Sequence, residues 1–297
     1  MKLSHYTKKI AAAVCAFSAL TSALFTPNYM IASAANSYRY GEFMVQDQAD
    51  GSMLITGLAS GVSNITIPDS LNGGRPTVLS STFSCSAASS TLTSLSFSRF
   101  LSTEIPAFCF RGCNRLQHLQ LSKYNERVHY GAFERCSSLR VVHMPFLTCH
   151  IEHGALSGTD NTMCVVLHNP NCKFDYTQAG NAYAGTHSSF LGTIYAERGT
   201  AAEAYARNCG YRFVAYKFGD VNDDGYIDSR DASKILSIYA GSYTPSEKQR
   251  IAADINMDGC IDSRDASLLL QYYAYCSTRL GSRMNDSLDE YLYFEVS

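Results

Sequence analysis

The sequence has no tryptophan, no basic tract and, beyond its N-terminus, no long hydrophobic run. Without tryptophan it lacks the usual sugar-stacking side chain, although four tyrosines could substitute (Tyr124, Tyr130, Tyr176 and Tyr183). A formal net charge of -2 without clustered Lys and Arg gives no surface that follows a phosphate backbone, so we expect no nucleic-acid partner. A membrane helix needs roughly 20 apolar residues, so we also expect no membrane span.

The N-terminus has the pattern of an export signal. Lysines precede an apolar segment over residues 10–25, which leads to the small-x-small sequence "ASAA" over residues 32–35. This pattern predicts a secretory signal peptide over residues 1–35 and a mature chain that begins near Asn36. A retained membrane anchor is the alternative, but the apolar segment is shorter than a membrane span requires. We therefore expect an extracellular protein.

The middle of the chain repeats with a constant period. The copies begin "IPAFCFRGCNRL" at Ile105, "VHYGAFERCSSL" at Val128 and, in degenerate form, "IEHGALSGTDNT" at Ile151. Each ends in the spacing L-x-x-L-x-L, whose final alternation predicts a short strand (Leu116, Leu119 and Leu121 in the first copy). One unit cannot bury its own apolar face, so stacked units are expected to form a solenoid.

The stretch "GAFERCSSL" from Gly131 resembles the BspA-like leucine-rich repeats almost residue for residue. The resemblance implies a leucine-rich-repeat domain over residues 36–216. Its last segment, "TIYAERGTAAEAYARNCGYRFVAY" from Thr193, departs from the repeat and predicts strand, helix and strand, as a closing cap would.

An acidic loop pattern follows in two copies, the first beginning at Asp220 and the second at Asp254. Oxygen-bearing residues stand at positions 1, 3, 5, 9 and 12 of each copy, glycine at position 6, and position 7 would contribute its backbone carbonyl. The spacing predicts two Ca²⁺ sites, since six or seven hard oxygen ligands select calcium over magnesium or zinc. The predicted ligands are Asp220, Asn222, Asp224, Tyr226, Asp228 and Asp231, then Asp254, Asn256, Asp258, Cys260, Asp262 and Asp265.

Each predicted loop is followed by an amphipathic helix, "SRDASKILSIYAG" and "SRDASLLLQYYAY". Duplicated loop-helix units with Asp at position 12 resemble a dockerin, here over residues 217–280. The chain is thus similar to cellulosomal dockerin-containing proteins of the Ruminococcus type. The fold class expected is α+β, a leucine-rich-repeat solenoid followed by a small all-α dockerin with two calcium-binding loop-helix motifs.

The dockerin resemblance implies a cohesin module of a scaffoldin as partner, on a cell-surface cellulosome. Positions 10 and 11 of each loop are partner-recognition positions in dockerins, which assigns this role to Ser229, Arg230, Ser263 and Arg264. Two near-identical faces could then bind in either orientation. The alternative is that Arg230 and Arg264 only screen the loop carboxylates.

The solenoid would serve as a binding or adhesion module, for plant cell-wall polysaccharide or for another protein. The alternative is an unrecognised enzyme carried by the dockerin, and whether the chain is an enzyme stays open. The repeats have only scattered carboxylates for a glycoside hydrolase-like site. A Cys/His site would draw on Cys149 or Cys164 with His150, His153 or His168. Surface histidines, His143 among them, are the simpler interpretation.

Ten cysteines remain after signal cleavage. Cys113 and Cys136 share one repeat position, and Cys149 and Cys172 share another, so a ladder of buried thiols is expected. A disulfide among the ten and metal binding stay open as alternatives. The acidic and aromatic tail, residues 281–297, is predicted to contain an extra helix that packs on the dockerin.

Overall fold

The computed structural model of the protein describes residues 37–78, 83, 88–98, 104–152, 154–175, 190–278 and 287–294. The predicted signal peptide lies outside these residues, as do His153, Tyr176 and Tyr183. The strands are β1 Tyr38–Tyr40, β2 Phe43–Asp47, β3 Met53–Leu58, β4 Asn64–Ile67, β5 Pro76–Val78, β6 Ser94–Phe97, β7 His118–Gln120, β8 Arg127–Val128, β9 Val141–Met144, β10 His150–Ile151, β11 Cys164–Leu167, β12 Lys173–Phe174, β13 Thr193–Ala196 and β14 Arg212–Ala215. The helices are α1 Ala88–Thr91, α2 Ala201–Cys209, α3 Ser229–Tyr239, α4 Glu247–Ala253, α5 Ser263–Thr278 and α6 Leu288–Phe294.

The repeats form a parallel seven-stranded sheet in the order β14-β13-β11-β9-β7-β6-β4. Its register follows the sequence period, because Leu119 pairs with Val142 and Val142 with Val165, which are equivalent positions of successive repeats. These side chains are buried on one face of the sheet. The predicted solenoid is thereby confirmed.

The turns between strands supply a second stacked layer of the core. The rings of Phe83, Phe110 and Phe133 lie nearly parallel, with centroids 5.2 and 5.6 Å apart. Cys113 and Cys136 lie beside them, fully buried, and Cys136 Sγ donates to the carbonyl of Phe110 at 3.1 Å. The repeat position of Cys113 and Cys136 is therefore a packing position in a continuous core. At the second repeat position Cys172 is buried, but Cys149 is exposed, so the expected ladder of buried thiols was wrong for Cys149.

Two smaller sheets were not predicted by the repeat pattern. β8, β10 and β12 form a parallel sheet on the turn that follows each main strand. At the N-terminal end, β1, β2 and β3 pair antiparallel, and β5 joins them. This sheet covers the open end of the stack, since Val45 and Ile55 are fully buried within the same core as the repeats.

At the other end, β13, α2 and β14 form the strand, helix and strand of the cap. Gly210 ends α2 in the left-handed conformation (φ 70°). The helical C-terminal region, α3 to α5, is confirmed as a separate set of elements that follows the cap. Residues 37–297 nevertheless form one compact unit.

The helical region packs on the outer face of the seven-stranded sheet. Buried and more accessible residues alternate along β4, β6 and β9, whereas every residue of β11 and β13 is buried. Cys164, Val166 and Tyr195 share a hydrophobic cluster with residues of the helices, including Ile251 and Leu269. Both faces of β11 and β13 are thus covered, one by the repeats and one by the helical region.

Among the described residues, no helix combines the length and the apolar character needed to cross a membrane.

Candidate metal loops and interaction faces

The first acidic loop is held by hydrogen bonds between its side chains and its own backbone. Asp220 accepts from the backbone N–H of Asp224 (3.1 Å, Oδ1) and of Gly225 (2.8 Å, Oδ2). Asn222 Oδ1 also accepts from the N–H of Asp224 (2.9 Å), and Asp224 Oδ1 from that of Tyr226 (3.0 Å). Gly225 has a φ of 88°, which a residue with a Cβ rarely adopts. The loop therefore bends around its own carboxylates.

Position 12 closes this loop and begins the helix that follows. Asp231 accepts from the N–H groups of Val221 (2.9 Å) and Asn222 (3.1 Å) through Oδ1, and from that of Asp228 (3.0 Å) through Oδ2. Asp228 in turn accepts from the N–H of Arg230 (2.8 Å), and the two carboxylates form a capping box for α3. Aspartate is short enough to reach back to these groups from the first turn of the helix.

The second loop repeats this arrangement. Asp254 accepts from the N–H groups of Asp258 (3.1 Å) and Gly259 (2.9 Å). Asp265 accepts from that of Asp262 (2.8 Å), and Gly259 has a φ of 83°. The two loops therefore share one backbone geometry, as their sequences predict.

Positions 1 and 12 place two carboxylates in the interior of each loop. Asp220 and Asp254 are 5% and 6% exposed, and Asp231 and Asp265 are fully buried. Burial, and then the neighbouring carboxylate of Asp265, raises the pKa of Asp254 to about 7. Burial likewise raises the pKa of Asp231 and of Asp265. Such buried like charges favour a cation between them.

The donor types fit a hard divalent cation. Each loop offers carboxylate oxygens, one Asn amide oxygen and the backbone carbonyl of position 7, which are the ligands calcium prefers. Each carboxylate oxygen that accepts a backbone N–H still has a lone pair for a further partner. Among the described residues, no three His, Cys, Asp or Glu side chains converge as a metal centre. Cys260 is exposed at position 7, where its backbone carbonyl, and not its thiol, is the candidate ligand.

The arginine at position 11 lies over each loop. Arg230 contacts Asp224 (Nη1–Oδ2, 2.8 Å) and Asp228 (Nη2–Oδ2, 2.7 Å). Arg264 contacts Asp258 and Asp262, both at 2.8 Å. The hydrogen bond from the arginine lowers the pKa of Asp228 and of Asp262. The arginines thus contact the loop carboxylates, yet their side chains remain 61% and 63% exposed.

An exposed apolar strip continues from each arginine along its helix. Leu236 and Tyr239 on α3 are 43% and 60% exposed, and Leu270 and Tyr273 on α5 are 42% and 40% exposed. The two pairs occupy equivalent positions of the duplicated sequence. The sequence marks all four as apolar residues of amphipathic helices but does not separate them from buried Ile235 and Leu269. Adjacent residues such as Ile235 and Leu236 cannot both face one core, so the sequence does indicate that one residue of each such pair is exposed.

Among the described residues, several cysteines and histidines considered for nucleophilic catalysis contact other groups. His150 Nε2 contacts Asp175 (2.8 Å), and His168 Nδ1 contacts Asp289 (2.7 Å). Cys164 Sγ donates to the carbonyl of Thr162, and burial raises the pKa of this thiol to about 11. The interpretation of His168 as a surface histidine was wrong. It is 4% exposed, because the helical region covers its strand.

Family models match both parts of the chain. A BspA-type leucine-rich repeat region matches residues 59–162 in six copies, and a dockerin type I domain matches residues 218–273. The chain therefore combines BspA-type leucine-rich repeats with a dockerin type I domain. This is, in general terms, the architecture of a cohesin-binding protein of the cellulosome type.

Solved structures with distant similarity are leucine-rich-repeat proteins. One from T. pallidum is 18% identical, with a TM-score of 0.42, over 54% of this chain and 72% of that one. Another, from Bacteroides capillosus, is 18% identical, with a TM-score of 0.38, over 44% and 98%. A leucine-rich cell surface protein from Faecalibacterium prausnitzii is 16% identical, with a TM-score of 0.33, over 54% and 48%. No curated protein matches the chain.

Proposed function

We propose that this protein is exported and binds a cohesin module of a scaffoldin through its dockerin domain, in a calcium-dependent manner, and so displays its solenoid on a cellulosome. The observation that carries the proposal is the duplication. Two loops with the same hydrogen bonds are each followed by an exposed face of the same composition. An ordinary surface does not repeat a metal-ligand pattern together with the residues beyond it.

Calcium holds the two faces in shape in this proposal. Asp220 and Asp231 in the first loop, and Asp254 and Asp265 in the second, are the buried ligands, with the remaining oxygens of each loop around them. One ion in each loop offsets the repulsion between these carboxylates. Since position 12 also caps the following helix, filling the loop fixes the first turn of α3 or α5.

Each partner-binding face consists of the Ser-Arg pair and the apolar strip beyond it. We assign Ser229, Arg230, Leu236 and Tyr239 to the first face, and Ser263, Arg264, Leu270 and Tyr273 to the second. Exposed Arg and Tyr side chains are typical anchors of protein interfaces. The contact of each arginine with its loop links the partner face to the metal site, so the screening role and the recognition role of Arg230 and Arg264 are compatible.

Calorimetric titration of the mature chain with a panel of cohesin modules, with calcium and after addition of EGTA, tests this function. We expect binding to at least one cohesin that EGTA abolishes. Asp220→Ala with Asp254→Ala should have the same effect as EGTA. Asp223→Asn is the matched control, since Asp223 is 62% exposed at a loop position without a ligand role, and asparagine tolerates its positive φ of 63°. Calcium-independent binding, or no binding to any cohesin, would refute the proposal.

For the solenoid we propose a binding or adhesion role toward a protein or a plant cell-wall polysaccharide. The part of its sheet beside the helical region keeps accessible polar side chains (Asn64, Thr66, Ser94 and Ser96). Sedimentation of the chain with insoluble cell-wall material tests the polysaccharide arm. No loss of protein from the supernatant, for any preparation, would exclude that ligand. Within the described part of the chain, no specific contact favours the alternative of an enzyme.

A further inference from the structure

The C-terminal helix α6 lies outside both regions that the family models match, yet it contacts both domains. We propose that α6 is a strap that holds the helical region against the outer face of the solenoid sheet, so that the two domains form one rigid body. This inference is independent of any cohesin. It rests on apolar contacts, on a buried ion-pair geometry and on the burial of the sheet face.

The apolar side of α6 packs into the helical region. Leu288 and Tyr291 are 2% and 8% exposed within the cluster that also contains Tyr272. The ring of Tyr291 lies 5.5 Å from that of Tyr272 and 4.8 Å from that of Tyr275, centroid to centroid. Leu288 also lies against Gly219, just before the first loop, where an added Cβ would come within 2.5 Å of Leu288 Cδ2. The strap therefore contacts both ends of the helical region.

The polar side of α6 reaches the solenoid. Asp289 Oδ1 lies 2.7 Å from His168 Nδ1, and the two residues are 121 positions apart in the chain. The His168 side chain is fully buried and the Asp289 side chain is 12% exposed. His168 Nε2 lies 3.0 Å from Nδ1 of His143, on the neighbouring strand β9. A buried Asp–His contact of this kind is costly to break, because it leaves a polar group without its partner.

The linker between the domains is enclosed by the same contacts. The ring of His168 meets that of Phe218 edge to face, with centroids 4.5 Å apart. Phe218 is 4% exposed and immediately precedes Gly219, on which Leu288 rests. Because a buried aromatic residue lies at this point, the junction between the domains is held in place and does not act as a flexible linker. The strap, the linker and the end of β11 thus form one packed unit.

Cys164 offers a built-in probe of this interface. Its side chain belongs to the cluster shared with the helical region, and the carboxylate of Glu247 on α4 contributes, after burial, to raising its pKa. Cys136 lies in the solenoid core and reports opening of the repeats, while Cys209 is exposed. Alkylation of these three thiols in one sample therefore separates local release of the helical region from general unfolding.

The experiment measures iodoacetamide labelling of Cys164, Cys136 and Cys209 by mass spectrometry, in the reduced full-length mature chain with calcium. We compare wild type with Asp289→Ala and with a chain that ends at residue 286. Labelling of Cys164 should rise roughly tenfold in Asp289→Ala, and further in the shortened chain, with Cys136 unchanged. Asp175→Ala is the matched control, because it removes an Asp–His contact on the accessible three-stranded sheet.

Unchanged labelling of Cys164 in both altered chains would overturn the strap. A parallel rise at Cys136 would also overturn it, since the change would then open the solenoid rather than this interface. A rise in the shortened chain alone would support the helix as a strap and overturn the role of Asp289.

Discussion

The two loop-helix copies have nearly the same sequence and the same internal hydrogen bonds, but their surroundings differ. In the first loop, position 4 is Asp223, which is 62% exposed and contacts Lys248 on α4 at 2.7 Å. In the second loop, Gln120 Nε2 donates to the carbonyl of Asn256 (3.5 Å), and His118 Nδ1 lies 3.4 Å from where Gly259 would carry a Cβ. The local sequence determines the internal hydrogen bonds of each loop, and contacts with the solenoid give the second loop surroundings that differ from those of the first.

Removal of calcium should have the largest effect. A ligand present at about 1,000 times its Kd stabilises the folded state by about 4 kcal/mol. We therefore expect EGTA to lower the free energy of unfolding of the helical region by about this amount for each ion. Differential scanning calorimetry with and without EGTA measures it. No shift of the helical transition would contradict the two proposed calcium sites.

Truncation of the buried helix residues should give nearly equal losses in the two copies. Ile235 and Leu269 are both fully buried, so Ile235→Ala and Leu269→Ala should each destabilise the protein by about 2–5 kcal/mol. Leu236→Ala and Leu270→Ala are the matched controls and should change stability by less than about 0.5 kcal/mol. Urea unfolding measures all four variants. A large loss of stability in either control variant would mean that its leucine packs in the core and does not belong to the exposed face.

The loop glycines should affect the two copies alike. Gly225→Ala and Gly259→Ala both place an L side chain at a positive φ, which costs about 1–2 kcal/mol. The added Cβ meets nothing within 4 Å at Gly225 and lies at contact distance (3.4 Å) from the exposed His118 side chain at Gly259, so neither substitution adds a clash. We expect nearly equal losses of stability in urea unfolding. A clearly larger loss for Gly259→Ala that His118→Ala relieves would contradict this expectation and would mean that the solenoid presses on the second loop.

The smallest expected effect belongs to the solenoid alone. His129 Nδ1 and Nε2 lie 2.9 and 2.8 Å from Glu152 and Glu104. Burial lowers the pKa of His129, but these two carboxylates outweigh it and raise the pKa to about 9. A raised folded-state pKa stabilises fully below the unfolded value of about 6.5 and is lost as pH rises through 9.

We expect this His129 contribution to stay below about 1 kcal/mol, since Glu104 is 57% exposed. Urea unfolding of wild type and His129→Gln at pH 6 and pH 9.5 measures it. The variant should lose stability at pH 6 and differ little at pH 9.5. A difference that grows toward high pH would contradict the assigned ion pairs.

Periodicity in the sequence predicts the contacts between neighbouring repeats. Leu119, Val142 and Val165 stack because each repeat returns the chain to the same place after one full period. The conformation of the acidic loops can likewise be predicted from the sequence, because a short loop of this kind makes its hydrogen bonds within itself. The antiparallel sheet of β1, β2 and β3 lies outside the repeats, so the repeat pattern does not predict it.

Contacts between distant parts of the chain leave no such signal. His143 alternates with Val142 and Met144, which correctly places it on the outer face of the sheet, yet that face is covered. The cover comes from the helical region, which packs on β11 and β13, and from α6 through the contact of Asp289 with His168. The sequence alone does not reveal which segment lies on β11 and β13.

We propose that each loop-helix copy carries a complete partner face. Calorimetric titration tests this with the cohesin that binds, in calcium, on chains with one or both faces truncated. Arg230→Ala with Leu236→Ala alters the first face, Arg264→Ala with Leu270→Ala the second, and Arg207→Ala is the control on the solenoid cap. We predict that either face alone keeps the affinity within about threefold of wild type and that truncating both raises the Kd more than about a hundredfold. Loss of binding on truncating one face alone, or wild-type binding with both truncated, would contradict the presence of two complete partner faces.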